Sequence, residues 1–269
     1  MRSPLLTYDQ VHIAYDGVTV VRDVSFCVEP GTVTCIVGES GSGKSTLVKA
    51  AMGLLGPGGA VTDGDIRYGD ASLLALSRKE LRALCGQDLA LVFQDCLSAL
   101  TPLRRIGDQV YEAMRAHRLI SRDDCRELAT ATLTRLGLDD PERVLASYPF
   151  NLSGGMGQRV GIAMALLSEP KVLFADEPTS ALDTIAQRQV IDLFRQINER
   201  RGTTIVLVTH HMGVVRALAD SVVVLKGGLV VERGEASQVL DSPAAPYTRE
   251  LLRATPRLAR DVRGAMSHG

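Results

Sequence analysis

Residues 38–46 read GESGSGKST, a glycine-rich stretch that fits the phosphate-loop pattern G-x-x-x-x-G-K-[ST]. The segment before it, Thr32 to Val37, is mostly apolar and β-branched, as in a buried strand, and the segment from Lys44 to Leu55 is rich in helix formers. Between a strand and a helix, glycines let the backbone close around an anion, while successive N–H groups and the helix N-terminus point at it. The stretch therefore predicts a loop that binds nucleotide phosphates.

Two side chains of this loop have separate expected roles. Lys44 would reach the β- and γ-phosphates of a nucleotide, and the Ser45 hydroxyl would ligate Mg²⁺. The motif alone indicates nucleotide binding and does not name a reaction. We expect the following residues to bind the nucleotide: Gly38, Glu39, Ser40, Gly41, Ser42, Gly43, Lys44, Ser45 and Thr46.

Composition narrows the class of protein. A formal net charge of -1 over 269 residues gives no electrostatic reason to expect nucleic acid, and 45% hydrophobic residues suffice for a substantial core. The five cysteines never occur in C-x-x-C spacing, so we expect reduced thiols rather than a zinc site or a disulfide framework. No run approaches the ~18 apolar residues of a membrane span, so any role at a membrane is expected to be peripheral.

Strand-like and helix-like segments alternate along much of the chain. Two strands, Leu6 to Ala14 and Val18 to Phe26, flank an Asp16-Gly17 turn and predict an antiparallel hairpin. Short apolar strands at Val172 to Ala175 and Thr204 to Thr209 are separated by a helical pattern. Such alternation predicts a mostly parallel sheet covered by helices.

Between the hairpin and the strand at Val172 to Ala175, the spacing of apolar residues changes to that of helices. From Arg105 to Tyr148 the pattern is helical, with Ile106, Val110 and Met114 on one face. We therefore predict an α/β fold: a P-loop NTPase core of mostly parallel sheet with helices, an antiparallel β edge, and an inserted all-helical subdomain.

The expected domain limits follow from these patterns. One nucleotide-binding domain spans residues 1–245, with the helical subdomain at about 95–168, and residues 246–269 form a C-terminal extension. The tail from Ser242 onward is rich in Pro, Ala and Arg, and we expect it to be solvated and partly disordered. It holds Arg249, Arg253, Arg257, Arg260 and Arg263.

Four residues from distant parts of the chain fall at the ends of predicted strands: Gly38, Gln94, Asp176 and His210. In parallel sheets, ligands bind outside the carboxyl ends of the strands. We therefore expect these four residues to meet at one edge of the sheet.

A second motif suited to anions precedes another predicted helix. Residues 152–159 read LSGGMGQR, and the apolar helix Val160 to Leu167 follows. Ser153 is a natural N-cap, and its hydroxyl and the Gly155 N–H would form a phosphate-binding helix N-terminus. Because one nucleotide needs one such site in a chain, two motifs indicate two chains that each close over the other's ATP.

Together these motifs resemble the nucleotide-binding subunit of an ATP-binding cassette (ABC) transporter. The resemblance covers about residues 5–257 and implies ATP hydrolysis with ATP and Mg²⁺ as cofactors. It rests, in the family's order, on the phosphate loop, Gln94, LSGGMGQR, VLFADEP at 172–178, SALD at 180–183 and His210.

The resemblance implies a role for each matching residue. Asp176 resembles the Walker B aspartate, which holds Mg²⁺, and Glu177 resembles the general base that polarises the attacking water. Gln94 resembles the residue that senses Mg²⁺ or water, and His210 resembles the switch histidine at the γ-phosphate. The expected catalytic residues are Lys44, Gln94, Glu177 and His210, and the expected metal ligands are Ser45, Gln94 and Asp176.

The same resemblance extends the nucleotide site beyond the loop. Tyr15 matches the position that stacks on adenine, and Asp183 matches an aspartate at the dimer interface. His211 stands where the family often has an acid, and we give it no catalytic role. The signature residues expected to contact nucleotide are Ser153, Gly154, Gly155 and Gln158.

Two further segments resemble the peptide/nickel importer subfamily: residues 92–102, VFQDCLSALTP, and the tail at 242–252, with PYT at 246–248. Substrates of that group include di- and oligopeptides, nickel and metal chelates. The implied partners are two membrane permeases, a second ATP-binding subunit (a paralogue or another copy) and, indirectly, a solute-binding protein. No nucleic acid is expected, and the implied location is the cytoplasmic face of the inner membrane.

The chain departs from that subfamily at three positions. Cys96 stands where the group usually has Pro, Thr101 where it usually has Asn, and Gly157 where a basic residue is common. A glycine in the first turn of a helix costs up to ~1 kcal/mol relative to alanine. Since the signature serine and glycines are intact, we expect activity.

Other interpretations remain open. A soluble DNA-repair-type ABC ATPase would carry a long coiled coil or zinc modules between the phosphate loop and the signature, where this chain has a compact helical insertion. An exporter or lipid-type subunit is disfavoured by residues 92–102 and by the tail. A non-hydrolysing regulatory partner is disfavoured because every catalytic position is present.

Overall fold

The structure, a computed structural model, describes residues 3–254. Its strands form two sheets. They are β1 (Leu6–Tyr15), β2 (Val18–Val28), β3 (Val33–Gly38), β4 (Gly59–Tyr68), β5 (Ala71–Ser72), β6 (Leu89–Val92), β7 (Val172–Asp176), β8 (Thr204–Val208), β9 (Ser221–Lys226) and β10 (Leu229–Glu235).

Helices fill the intervals between most of these strands. No helix within residues 3–254 combines the length and the apolar character needed to cross a membrane. The helices are α1 (Lys44–Ala51), α2 (Arg78–Leu84), α3 (Ile106–Arg115), α4 (Arg122–Arg135), α5 (Pro141–Ala146), α6 (Gly154–Leu167), α7 (Thr184–Arg201), α8 (Met212–Leu218), α9 (Ala236–Asp241) and α10 (Pro246–Ala254).

A six-stranded sheet in the order β10-β9-β3-β8-β7-β6 forms the centre of the fold. Strands β3, β8, β7 and β6 are parallel neighbours, and β10 pairs antiparallel with β9 at the edge. Every residue of β3, β7 and β8 is buried, as expected for apolar strands covered on both faces. The predicted parallel sheet with helices is confirmed.

A four-stranded antiparallel sheet in the order β2-β1-β4-β5 lies against one face of the central sheet. The predicted hairpin between β1 and β2 is confirmed. Its turn residues Asp16 and Gly17 have φ of +48° and +79°, which is the left-handed pair that a two-residue hairpin turn requires.

Helix α1 ends earlier than the run of helix formers predicts, at Ala51 rather than Leu55. Gly53 adopts φ +64°, its N–H bonds to the Ala50 carbonyl, and the Leu54 N–H bonds to the Lys49 carbonyl. This paired arrangement is the Schellman motif, which satisfies the last carbonyls of a helix and stops it.

The helices α3, α4 and α5 lie between β6 and β7 and pack with α6, so the predicted helical insertion is confirmed. Ile106, Val110 and Met114 are all buried on one face of α3, as the periodicity predicts. The apolar cluster that they join extends to the face of the central sheet opposite α1.

The described part of the tail contains a helix that its composition does not predict. Residues 246–254 form α10, and Tyr247 in its first turn is only 7% exposed. The Glu232 carboxylate accepts hydrogen bonds from the N–H groups of Ala244 and Ala245 at 2.7 and 3.1 Å. A carboxylate at this end of a helix satisfies N–H groups that have no intrahelical partner. The expected tail residues Arg257, Arg260 and Arg263 lie outside the described residues.

Candidate nucleotide-binding site

The carboxyl ends of four neighbouring strands bring distant predicted residues to one edge of the sheet. Gly38 ends β3 and Asp176 ends β7, while Gln94 and His210 lie just beyond β6 and β8. Because these strands are parallel and adjacent, their carboxyl ends share the same edge. The sequence-based expectation of this convergence is confirmed.

The phosphate loop joins β3 to α1 through backbone conformations that favour glycine. Gly38 has φ +152°, and a Cβ there would lie 2.1 Å from the Leu225 carbonyl oxygen. Gly43, the N-cap of α1, has φ +98°, and a Cβ there would lie 2.9 Å from Cγ2 of Val21. Glycine at both positions lets the loop lie close to β9 and β2.

The loop also holds an unsatisfied polar group. The Ser42 Oγ is buried and has no hydrogen-bond partner among the described residues. A buried hydroxyl without a partner is costly, and the first N–H groups of α1 have no intrahelical acceptor. An anion at the loop would supply acceptors for these groups, so the loop fits a phosphate.

Lys44 is held by the carbonyl groups of its own loop. Its Nζ donates to the Gly38 oxygen at 2.9 Å and to the Glu39 oxygen at 2.7 Å. Burial lowers the pKa of the Lys44 ammonium, and the nearby carboxylates of Glu177 and Asp176 oppose that shift. The ammonium thus lies at the sheet edge, next to both acids.

Ser45 and Asp176 form a pair of oxygen donors. The Ser45 hydroxyl donates to Oδ1 of Asp176 at 2.8 Å across the gap between α1 and β7. Burial raises the pKa of Asp176, while this hydrogen bond and the nearby lysines oppose the rise. A hydroxyl beside a buried carboxylate is the type of donor set that Mg²⁺ prefers, so the pair fits the expected metal.

Glu177 and His210 form the second pair. Nδ1 of His210 and Oε1 of Glu177 lie 2.7 Å apart; the Glu177 side chain is 12% exposed and that of His210 66% exposed. Glu177 has φ +47°, an uncommon conformation for a residue other than glycine. Its N–H donates to the Val208 carbonyl and its own carbonyl accepts from Ser180, which hold it there.

The two glutamines expected at the nucleotide lie in different environments. Gln94 is exposed, just beyond β6. Gln158 is buried, and its Nε2 donates to the Phe93 carbonyl at 3.1 Å. The Gln158 side chain thus joins α6 to the segment that carries Gln94, and its contact with nucleotide stays a prediction.

Small residues on α6 explain two of the departures from the subfamily pattern. A Cβ on Gly161 would lie 2.1 Å from Sγ of Cys96, and a Cβ on Gly157 would lie 2.3 Å from Cγ of Leu97. Glycines one helical turn apart thus admit Cys96 and Leu97 against the helix. The sequence alone did not predict this contact, although two glycines spaced by four residues are a signal for close approach.

The third departure from the subfamily pattern is Thr101, and the contact at this position is made by its backbone. The Thr101 N–H donates to Oε1 of Gln109 at 2.8 Å, and the Thr101 carbonyl accepts from Nε2 of Gln109 at 3.0 Å. Because Gln109 binds the main chain at this position, the threonine side chain is not needed for the contact.

The signature end of α6 does not join the phosphate loop of its own chain. Ser153 caps α6 by accepting a hydrogen bond from the Met156 N–H at 3.3 Å, and both Ser153 and Gly154 are exposed. No hydrogen bond connects residues 152–159 with residues 38–46 among the described contacts. Asp183 caps α7 by accepting from the Ala186 N–H at 2.9 Å, and this bond holds the pKa of Asp183 below its ordinary value.

Tyr15 lies at the end of β1, outside the central sheet. It is partly buried, and its ring covers Gly59, where a Cβ would lie 2.6 Å from Cε1 of Tyr15. The paired strand β2 touches the phosphate loop through Val21 and Gly43, so the antiparallel sheet borders the loop.

This fold and edge arrangement define a P-loop nucleotide-binding domain with an inserted helical subdomain. Residues 21–180 match the family described as "ABC transporter". The chain belongs to the ABC transporter family, as its motifs predict.

Curated relatives are similar in sequence to nearly the whole chain. The chain is 42% identical over 266 residues to the dipeptide transport ATP-binding protein DppD of Bacillus subtilis, covering 97% of this chain and 79% of the relative. It is 38% identical over 265 residues to the oligopeptide transport ATP-binding protein AmiE of Streptococcus pneumoniae, covering 97% and 75%. These relatives are named for peptides, so the resemblance to the peptide/nickel subfamily is confirmed on its peptide side.

Solved structures share the fold. A dimeric ATP-binding cassette in a post-hydrolysis state, bound to ADP and phosphate, has a TM-score of 0.78 and 29% identity, covering 86% of this chain and 98% of that one. The cbiO1 protein of Clostridium perfringens, part of the ABC transporter complex cbiONQ, has a TM-score of 0.72 and 28% identity, covering 90% and 92%. The predicted fold class is thereby confirmed.

Proposed function

We propose that this chain is the ATP-binding and ATP-hydrolysing subunit of an ABC importer that takes up peptides through partner membrane permeases. The observation that carries the proposal is the pairing of Ser45 with Asp176 and of Glu177 with His210 beside Lys44, all at one sheet edge. Catalysis by such a site is largely positioning and charge stabilisation of a phosphoryl transfer.

Within this proposal each pair has a separate task. The loop N–H groups and Lys44 would bind the phosphates, and Ser45, Asp176 and Gln94 would hold Mg²⁺. The bound metal would neutralise charge on the phosphate oxygens. Glu177 accepts a proton from the attacking water, and His210, hydrogen-bonded to that carboxylate, orients it and faces the γ-phosphate.

We propose that a second ATP-binding subunit completes the site. Ser153 and Gly154 lie exposed at a helix N-terminus that makes no hydrogen bond to the phosphate loop of its own chain among the described residues. A helix N-terminus suits an anion, so a partner cassette, a paralogue or another copy, would place this motif, Gly155 and Asp183 against the first chain's ATP. Tyr15 on the bordering sheet would stack on the adenine ring.

The helical insertion is the proposed contact with two permeases at the cytoplasmic face of the inner membrane, with a solute-binding protein acting indirectly. The most exposed large apolar side chains of this region are Leu103 and Leu119, which flank α3, and Phe150, just before the signature. Exposed apolar surface of this kind is what a protein partner covers.

We retain residues 1–245 as the nucleotide-binding domain, about 95–168 as its helical subdomain, and 246–269 as an extension.

The test is co-purification from solubilised native membranes. The tagged chain is expected to recover two permeases, a second ATPase and a solute-binding protein that binds peptides. A Leu103→Asp, Phe150→Asp variant should lose the permeases and keep ATP binding, whereas Leu229→Asp, an exposed leucine on the β9–β10 hairpin, should keep both. Recovery of nucleic acid or of only soluble partners would contradict the proposal and favour the DNA-repair-type ATPase.

A further inference from the structure

The tail motif PYT at 246–248 has no task in the mechanism above, yet it reaches the phosphate loop. The Tyr247 hydroxyl accepts a hydrogen bond from the Glu39 N–H at 3.1 Å, across 208 positions of sequence. The tyrosine side chain is buried, whereas Glu39 is exposed. The tail helix therefore contacts the first peptide group of the loop.

That peptide group, between Gly38 and Glu39, is held from both ends. Its carbonyl accepts from Nζ of Lys44 at 2.9 Å, and its N–H donates to Tyr247 at 3.1 Å. Gly38 at φ +152° has no Cβ to limit rotation, so the orientation of the peptide depends on these two bonds.

The position of Tyr247 is set by elements outside the loop. Nζ of Lys226, at the end of β9, lies 4.5 Å from the centre of the Tyr247 ring, a cation–π distance. Glu232 of β10 accepts the N–H groups of Ala244 and Ala245 and so fixes the start of α10. Contacts with β9 and β10, at the edge of the central sheet, thus hold the Tyr247 side chain next to the phosphate loop.

We propose that Tyr247 is a positioning residue for the nucleotide site: its hydroxyl holds the 38–39 peptide in the orientation that admits phosphates, so that α10 sets nucleotide affinity. The proposal rests on the proposed function, since it concerns the same loop. Without the hydroxyl, the Glu39 N–H loses its partner and the loop samples other orientations, which nucleotide binding must then reverse.

The test compares Tyr247→Phe with Tyr68→Phe in the full chain. The Tyr68 hydroxyl likewise takes part in a hydrogen bond, which it donates to Asp88 at 2.9 Å, but this bond lies away from the phosphate loop. Thermal unfolding would show that both variants fold. Hydrogen exchange of the peptide that contains Glu39 would then be measured without nucleotide, and ADP affinity would be measured by calorimetry with Mg²⁺.

For Tyr247→Phe we expect faster exchange at Glu39 and a dissociation constant for ADP that is raised about five-fold, the effect of one lost hydrogen bond. Tyr68→Phe should match the parent chain in both. Equal exchange and equal affinity for the two variants would overturn the positioning role alone. Failure of the parent chain itself to bind ADP would overturn the proposed function, and the inference with it.

Discussion

At the scale of single residues, Asp176 and Glu177 are neighbours in the chain but occupy different environments. Asp176 is the last residue of β7 and accepts from Ser45, whereas Glu177 leaves the strand with φ +47° and meets His210. Successive side chains of a strand point to opposite faces. The left-handed residue interrupts that alternation, so two adjacent carboxylates can serve a metal and a water at one edge.

The hydrogen bond between His210 and Glu177 leads to a prediction about the rate of ATP hydrolysis. His210→Ala should lower kcat for ATP roughly 10²-fold or more, with ATP affinity little changed, because Glu177 loses the group that orients it. Steady-state ATPase assays and direct ATP binding would measure both quantities.

His211→Ala is the matched control for that prediction. Nδ1 of His211 has no hydrogen-bond partner among the described residues, and the side chain has no role in the proposed site. Its turnover should match the parent chain. Equal kcat for His210→Ala and His211→Ala would contradict the role given to His210.

The sequence predicts the location of a site residue well where the backbone itself fixes that location. The glycine pattern and the strand ends placed Lys44, Ser45 and Asp176 correctly at one edge, because parallel strands leave their carboxyl ends together. The burial of Gln158 against Phe93 was not predicted, since it depends on packing between distant segments. The contact between Tyr247 and Glu39 has no local pattern at all and required the fold.

At the scale of elements, the first turns of α6 pack on the segment that carries Gln94. Gly157 and Gly161 lie against Leu97 and Cys96, and Gln158 bonds to Phe93 beside them. The signature end of α6 and the segment after β6 therefore form one packed unit. Motion of either element would be transmitted to the other through this contact.

Gly161→Ala tests this packing. A new Cβ would fall 2.1 Å from the Cys96 sulfur, so we expect a loss of roughly 1–3 kcal/mol in the free energy of unfolding from overpacking. Gly154→Ala, in the same helix, meets nothing within 4 Å and should not lose stability, since alanine favours a helix. Urea titrations would compare the two, and equal stability of both variants would exclude a tight α6 contact.

The anchoring of α10 predicts a pH dependence. Burial raises the pKa of Glu232, but the Thr248 side chain, the hydrogen bonds from Ala244 and Ala245 and the charge of Arg249 together outweigh it and hold that pKa below its ordinary value. A depressed carboxyl pKa contributes stability above the unfolded pKa of about 4.3, and that stability is lost as pH falls through the lower folded pKa.

We therefore expect the amides of α10 to lose protection from hydrogen exchange as the solution is acidified below about pH 4. In Glu232→Gln the protection should be lower at neutral pH and should change less with acid. An unchanged acid response in Glu232→Gln would show that another group anchors the helix.

The elements of the fold were largely predictable, and the helix at residues 246–254 was not. Apolar β-branched strands and their alternation with helices predicted the central sheet, because each strand must bury both faces. The composition of the tail predicted a solvated, partly disordered extension, yet residues 246–254 form α10, and Glu232 on β10 accepts the N–H groups that precede this helix. Composition does not report such a tertiary contact.

At the scale of the whole molecule, the N-terminus of the signature helix is exposed and makes no hydrogen bond to its own phosphate loop among the described residues. Ser153→Arg should therefore leave ATP binding by one chain intact and lower turnover at least ~10-fold, because a large cation at this N-terminus blocks closure on a partner's phosphate. Ser121→Arg changes another exposed N-cap serine, on α4, and should retain turnover. ATPase assays decide the point, and full turnover in Ser153→Arg would contradict the two-chain site.

The most direct test of the central claim is ATP turnover by Glu177→Gln. The account predicts that turnover falls at least ~10²-fold while ATP still binds, and that chains associate in ATP and Mg²⁺, because the amide cannot accept the proton of the attacking water. Loss of turnover with retained binding and association would identify Glu177 as the base of a paired ATPase. Normal turnover by Glu177→Gln would contradict the assignment on which the proposed mechanism depends.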